Sequence, residues 1–423
     1  MEKVISYVNT NRGNGQKSSL DRLFTLLDRL GNPHKHLKYV HITGTNGKGS
    51  TSAMFSSVLQ EANLTVGSFT SPHLEQVNER IRLNGEMIAD ADFIRIVDQI
   101  EPVVLELEAK MGVNFYAFEL LTTVAFIYFQ EKKPDIVVLE AGIGGRLDST
   151  NVIESSVVSI VTSIGLDHLA TLGTTEEEIM YEKVQILKEN GHLIVGPVKD
   201  SLKEIALKRA DAVNGTVTFI DKADLHIEES LPTHQVFTYK NWQSVQLGML
   251  GVHQVENASL ILEAHETFLA QDIAISPEEV YKGLEKAYWP GRFECVGTAP
   301  LFYIDGAHNE ASVGRLVETL EETFPGETFH FVIGMMKDKA YEAMIEQVKH
   351  LAAEFILISP DPYRGFDPDA VAADLRADGF KATPMESVAG ILSYIKTEVP
   401  KDEIVIQFGS LYLVGDIKKS VHA

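Results

Sequence analysis

Short apolar runs and stripes of helical period follow one another along most of the chain. Val40-His41-Ile42-Thr43 is a β-branched run suited to a buried strand, and after a glycine-rich turn Ala53, Phe55, Val58, Leu59 and Ala62 recur at helical spacing. Upstream, Ser19 opens a helix with Leu20, Leu23, Phe24, Leu27 and Leu30 as its apolar positions, stopped by Gly31 and Pro33. Thr65–Phe69 reads as a second strand, and helices are expected from about Asp90 to Met111 and from Phe118 to Gln130. Asp135–Glu140 is a buried strand ending on a carboxylate, and Val157–Ile164 is the next. A capping-box pattern at Thr174-Thr175-Glu176-Glu177 starts a helix that stops near Asn190-Gly191. Strands alternating with helices predict a mostly parallel sheet with helices on both faces. Ligands of such sheets bind beyond the carboxyl ends of strands, and Lys48, Ser71, Glu140 and His168 all fall just after strands.

From about Thr216 to Leu247 the pattern shortens to alternating pieces (VTFI, QVFTY, SVQLGML), which reads as a small antiparallel insertion. Gly251–Ala258 opens a further helix, and another follows Ser276-Pro277. Tyr288-Trp289-Pro290-Gly291-Arg292 interrupts the periodicity. Beyond it, strands at Leu301–Asp305, Phe329–Ile333, Phe355–Ile358 and Ile404–Phe408 alternate with helical segments. The expected organisation is one α/β domain over 1–290, with the insertion near 216–247, and a smaller α/β domain over 291–423.

Composition narrows the class. At 423 residues the chain suits two or three domains. Its net charge of −23 repels nucleic-acid phosphates and anionic membranes, so neither is an expected partner. Anionic ligands would need local positive islands, for which Lys48, Arg80, Arg146 and Arg292 are candidates. The single cysteine excludes an intrachain disulfide and fits a reducing cytoplasm; Cys295 itself reads as a small buried hydrophobe rather than a nucleophile. The N-terminal MEKVISYVNTNRG lacks a long apolar core and no apolar run approaches ~20 residues, so neither a signal peptide nor a membrane span is expected.

The candidate chemistry centres on Tyr39–Ser52, YVHITGTNGKGSTS. Strand, glycine loop and helix in that order make a phosphate cradle, in which backbone N–H groups and the helix N-terminus meet an anion. Lys48 would supply a full positive charge, and Ser50 or Thr51 a hydroxyl for magnesium. The loop departs from the common P-loop, because Gly49 intervenes between Lys48 and Ser50. Glu140 is a hard oxygen ligand suited to magnesium, or a strand-end carboxylate that caps a neighbouring helix. His168 could ligate a metal, act as a base or be structural. Lys183, beside Glu182 in mid-helix, reads by itself as part of a solvated face. Asp305-Gly306-Ala307-His308-Asn309 and Gly409-Ser410-Leu411-Tyr412 are strand-to-helix turns; Asp305 could bind a ribose hydroxyl, organise a site between the domains, or cap a helix.

TGTNGKGS resembles the phosphate loop of the ATP-dependent amide ligases that join an amino acid to a carboxylate, a group holding the Mur ligases and folylpolyglutamate synthase. FTSPHLEQVNERI, GVHQVENA, WPGRFE, DGAHN and GSLYL make the chain similar, from first helix to last, to the folylpolyglutamate synthase branch with its bifunctional dihydrofolate synthase relatives. The resemblance implies a P-loop N-terminal domain and a Rossmann-like C-terminal domain with the active site between them. It implies addition of L-glutamate to the γ-carboxylate of a folate, with ATP and Mg2+, and a monomer. It places Gly44, Thr45, Asn46, Gly47, Lys48, Gly49 and Ser50 on ATP, with Asn257, Arg292 and Asp305 as further nucleotide contacts. Ser50, Ser71, Glu140 and His168 match metal positions, and Lys183 matches the lysine this family carbamylates. Asn78, Glu79 and Arg80 fall in the loop lining the folate side, and His308 and Ser410 match positions near the incoming glutamate or the interdomain site. Lys48, Lys183 and His308 are the residues the resemblance assigns to catalysis. One departure stands: the family usually reads Lys-Ala-Gly-Ile where this chain has Lys183-Val184-Gln185-Ile186. A Mur-type ligase for another carboxylate and a nucleotide-dependent switch are the competing expectations, and whether dihydropteroate is also a substrate stays open.

Overall fold

The run that ends in the glycine loop lies inside an eight-stranded sheet of order β4-β3-β2-β5-β1-β6-β7-β8. In this computed structural model, which describes residues 18–337 and 339–422, the strands are β1 (Tyr39–Thr43), β2 (Val66–Phe69), β3 (Ile81–Leu83), β4 (Glu86–Met87), β5 (Ile136–Glu140), β6 (Val158–Val161), β7 (His192–Val195) and β8 (Thr216–Phe219). The N-terminal stretch read above for a signal peptide lies outside the described residues. β1 is buried at all five positions, as expected of a strand with neighbours on both edges. It pairs in parallel with β5 and β6, and the register sets Ile42 beside Glu140. β2 extends the parallel set through β5, while β3 and β4 turn back antiparallel.

On one flank Phe69, Phe93, Phe115, Phe126 and Phe129 share a single apolar core. On another, Val161 and Leu193 pack with Met180, Val184 and Leu187, which seats the Glu176–Val184 helix against the sheet. That helix ends earlier than its polar surroundings suggested, at Val184. The Asp90–Met111 helix has the expected bounds. Phe24, expected in an apolar stripe, is exposed on the Asp21–Arg29 helix. Thr216–Phe219, expected in an antiparallel insertion, instead pairs in parallel with β7 as the edge of the main sheet. A short strand next to a twisted parallel sheet takes its direction from that neighbour, which local alternation does not reveal. The pieces that follow, β9 (Leu225–Ser230), β10 (Gln235–Tyr239) and β11 (Trp242–Leu247), form a separate three-stranded sheet.

The chain divides into two compact units, and not by a single cut. One takes residues up to His226, Phe237–Leu247 and Val255–Ala287; the other takes Ile227–Val236, Gly248–Gln254 and everything from Tyr288 onward. The second unit is built on a six-stranded sheet of order β12-β13-β17-β14-β15-β16. Its strands are β12 (Glu294–Thr298), β13 (Leu301–Ile304), β14 (Phe329–Ile333), β15 (Ala352–Ile358), β16 (Ala382–Met385) and β17 (Ile404–Phe408). All neighbours are parallel except β12, which runs antiparallel along the edge. Phe329, Phe331, Phe355 and Phe408 fill its core with edge and stacked ring contacts. Cys295, expected to be buried, is exposed. It lies on the edge strand β12, whose side chains are all at least partly exposed. Among the described residues no helix is long and apolar enough to cross a membrane.

Candidate active site

The glycine loop starts at the carboxyl end of β1 and becomes the Lys48–Glu61 helix. Gly47 is the N-cap at φ 86°, a left-handed conformation that favours glycine, and a Cβ there would fall 2.5 Å from the Asn257 carboxamide oxygen. Sequence-distant Asn257 is thereby set against the loop. The end of β6 holds the loop's first half: the Ser163 carbonyl accepts from Thr45 N at 2.9 Å, and Ser163 Oγ accepts from Asn46 N at 3.0 Å. Thr162 Oγ1 donates to the Asn46 carbonyl, and Thr45 Oγ1 engages Gly165. The N–H groups of Thr45 and Asn46 are therefore committed to β6, and the anion-facing donors narrow to the helix start from Gly47 onward. Lys48 Nζ folds back on the carbonyls of Gly44 and Thr45, at 3.0 and 3.2 Å. Ser50 and Thr51 are both buried, and the Thr51 hydroxyl has no partner among the described residues.

Glu140 closes β5 in a buried position, with Ser71 N 3.4 Å from its Oε2. Two residues expected to serve one metal therefore meet across β2 and β5. The chain next turns through Gly142–Asn151. Asp148 organises this turn, its Oδ2 accepting from Gly142 N and Ile143 N at 2.9 and 3.0 Å, and its Oδ1 from Thr150 N at 2.9 Å. Arg146, proposed as a positive island, is ion-paired with Glu182 at 2.9 Å.

Lys183 departs from its solvated-face reading. It shares the buried face of its helix with Ile179, Met180 and Val184, and is 3% exposed. Its Nζ makes no hydrogen bond or ion pair with the described residues. Burial, together with the Lys48 charge, holds its pKa well below the usual lysine value, while Asp167 and Asp148 act in the opposite direction. The structure thus brings Lys48, Lys183, Asp148 and Asp167 into one electrostatic field, and two of these aspartates were not singled out from the sequence. His168 is exposed, in a left-handed conformation, with Nε2 3.9 Å from Asp167 Oδ2.

The donors fit a magnesium ion that arrives with a phosphate chain. Mg2+ takes one or two carboxylates and keeps waters and phosphate oxygens as its other ligands. The single buried carboxylate of Glu140 meets that requirement, whereas no group of three His, Cys, Asp or Glu among the described residues could hold a metal alone.

In the stretch after β2, Asn78 donates to the Ile88 carbonyl at 2.8 Å and to Asp90 at 2.9 Å. Glu79 accepts from the N–H groups of Leu74, Glu75 and Gln76 at 2.7 to 2.9 Å. Arg80 donates to His73 Nδ1 at 2.9 Å. These three side chains shape the loop from within.

The second unit gathers its candidate residues on its own strand ends. Asp305, just past β13, accepts from Phe293 N at 2.8 Å and from Ala307 N at 2.7 Å, which ties the turn bearing Arg292 to the sheet. Burial raises its pKa, against the pull of the Arg292 charge and of these two bonds. His308 Nδ1 donates to the Gly306 carbonyl at 2.8 Å. Ser410 is buried beyond β17, where Gly409 N donates to the Ala307 carbonyl at 2.8 Å.

The phosphate loop at the parallel sheet's carboxyl edge shares an electrostatic field with a buried lysine, and the domain matches make the chain an ATP-dependent ligase of the Mur type. The Mur ligase middle-domain model matches residues 42–264, and the Mur ligase glutamate-ligase-domain model matches 291–411. The dihydrofolate synthase/folylpolyglutamate synthase of Bacillus subtilis is 37% identical over 414 residues, which cover 96% of this chain and 95% of that protein. The crystal structure of the Thermotoga maritima folylpolyglutamate synthase superposes with a TM-score of 0.87 at 33% identity, covering 100% of this chain and 96% of that one. A folylpolyglutamate synthase solved with AMPPCP and folate superposes with a TM-score of 0.85 at 28% identity, covering 100% and 99%. The chain belongs to the folylpolyglutamate/dihydrofolate synthase family.

Proposed function

We propose that the chain adds L-glutamate to the γ-carboxylate of tetrahydrofolate and also joins glutamate to dihydropteroate. The observation that carries the reading is the buried, electrostatically depressed Lys183 facing Lys48 at the edge of the phosphate-loop sheet. The Bacillus subtilis relative, matched over nearly its whole length, carries both activities in its name. A carboxylate is a poor electrophile. Its oxygen attacks the γ-phosphorus of ATP, ADP leaves, and the resulting acyl phosphate is attacked by the glutamate amine with loss of phosphate. Lys48 and the N–H groups from Gly47 onward offset charge on the transferring phosphoryl oxygens. Bound Mg2+, held by Glu140 with the Ser50 and Ser71 hydroxyls and by His168, would supply further charge neutralisation there.

Lys183 is suited to carbamylation because burial favours its neutral amine, the form that adds to carbon dioxide. The product is an anion that could serve a second metal. Asn257 and Arg292 are assigned to the nucleotide, and Asp305 to setting the Arg292 turn. His308 and Ser410 are assigned to the incoming glutamate, and Arg80 to the folate side, with Asn78 and Glu79 keeping that loop in shape. The cytoplasm, which supplies ATP, is the compartment we assign to the reaction.

ADP release tests the reading, measured with ATP, magnesium and L-glutamate in the presence of tetrahydrofolate, dihydropteroate or neither. Release that needs tetrahydrofolate supports the ligase, and release with dihydropteroate as well supports both activities. Release indifferent to both acceptors overturns the folate assignment.

A further inference from the structure

The turn Gly142–Asn151 touches three things that the reaction uses. It begins directly after Glu140, which closes β5. It is fastened to β1, the strand that carries the phosphate loop, at two points on one face of that strand: Thr43 Oγ1 donates to the Gly144 carbonyl, and His41 Nε2 lies 2.8 Å from Thr150 Oγ1. Its far side lies on the helix that carries Lys183. Arg146 N donates to the Glu182 carbonyl at 2.8 Å, and a Cβ on Gly145 would fall 2.7 Å from the carbonyls of both Glu182 and Lys183. Only glycine permits that approach.

The polar chain through the turn has a fixed direction. Thr150 Oγ1 donates to Asp148 Oδ1 at 2.6 Å, so it must accept from His41 Nε2–H. His41 is fully buried, and burial together with the Lys188 charge pushes its pKa down to about 3, so the ring is neutral with its proton on Nε2. Its Nδ1 has no partner among the described residues. A buried, half-satisfied histidine is costly, and the bond it does make is the one that aims Thr150 at Asp148.

We propose that this turn is a rigid bridge between the phosphate loop and Lys183, and that His41, Thr43 and Thr150 are positioning residues that set the separation of Lys48 and Glu140 from Lys183. None of the three needs to touch a substrate. Their effect passes through the strand on one side and the helix backbone on the other. The proposal rests on the ligase reading, and its test separates the two.

Thr150→Val removes the hydroxyl without changing the side-chain shape, and Thr150→Ser keeps it. With tetrahydrofolate as acceptor, valine is expected to lower kcat by about 10- to 100-fold, the scale of an ångström-sized misplacement, with KM for ATP close to the parent's. Serine is expected to restore most of the rate. Thr43→Val, which breaks the other pin, should show the same split and carries the test if Thr150→Val does not fold. Hydrogen exchange gives a readout independent of activity: amides of the Lys183 helix should exchange faster in Thr150→Val, although the Thr150 hydroxyl bonds to His41 and Asp148 rather than to that helix. A valine enzyme with the parent's kcat, or serine and valine equally impaired, or faster exchange confined to the turn, overturns the bridge. A parent enzyme without folate-dependent ADP release would overturn the ligase reading instead, and leave the exchange experiment to decide the bridge.

Discussion

Among the described residues two lysines are buried, and they are buried in opposite ways. Lys183 is 3% exposed and Lys418 is 9% exposed. Lys418, on the C-terminal helix, donates to both oxygens of Glu294 at 2.9 and 3.1 Å and to the Tyr288 hydroxyl at 3.1 Å. Burial lowers its pKa, but these bonds outweigh burial and the pKa is raised. Glu294 in turn accepts from Gly291 N at 2.7 Å, so the ammonium helps hold the Pro-Gly-Arg turn. Among the described residues Lys183 has no carboxylate within ion-pair distance, and burial prevails over the pull of Asp167 and Asp148. A buried lysine whose charge is neutralised by a contacting carboxylate is a structural tie. One that burial and a second cation hold below its usual pKa costs the fold stability, and is the one the proposed function uses as a reactive amine.

The comparison breaks most visibly at Lys48. Lys48→Ala removes the charge that faces Lys183 and a phosphate contact together, and should lower ATP-dependent ligation by about 1,000-fold or more in a folded protein. Normal turnover would contradict the cradle. Next, Lys183→Ala should lose about 100-fold or more in kcat, part of which short carboxylates such as acetate or formate restore. Lys183→Met sharpens the contrast through stability. The folded pKa of Lys183 lies below 10.5, so between the two values the unfolded chain binds more protons, and burying Lys183 weakens the fold progressively as pH falls through that window. Lys183→Met should therefore be at least as stable as the parent at neutral pH; a marked drop in melting temperature would make Lys183 a structural residue.

Lys418→Met should do the reverse, destabilising the fold by about 1–3 kcal/mol, read from denaturant melts. No loss would show that the Glu294 pair contributes nothing. The smallest effect is expected at His330, whose ring is held between Glu354 at 3.2 Å and Glu403. Burial lowers its pKa, but the two carboxylates raise it above 6.5, so its stabilisation is complete below pH 6.5 and is lost as pH rises through the folded value. The melting difference between parent and His330→Gln should shrink as pH rises through that range; a constant difference would place the effect in packing.

The phosphate loop was legible because everything that makes it is contiguous: the β-branched β1, the glycines and the following helix. The strands β14 and β17 were legible for the same reason. Lys183 was not, because Glu176-Glu177-Glu178 and Glu182 around it read as a wet face, while its burial comes from β6 and β7, far away in sequence. Asp148 and Thr150 passed as loop residues, although an Asp-Ser-Thr cluster after a glycine turn is itself a capping signal. His41 carried a signal of its own, a polar side chain in the middle of a buried strand. The edge strands β8, β12 and β16 owe their direction and exposure to neighbours, which is why β8 was misplaced and Cys295 was expected inside.

The most direct test of the contrast between the two lysines is carbon-13 NMR of the enzyme equilibrated with carbon-13 bicarbonate. The account predicts a protein carbamate resonance that persists in Lys418→Met and disappears in Lys183→Met. A parent enzyme without that resonance, or one that keeps it after Lys183 is replaced, would contradict the claim that burial without a neutralising partner is what makes Lys183 reactive.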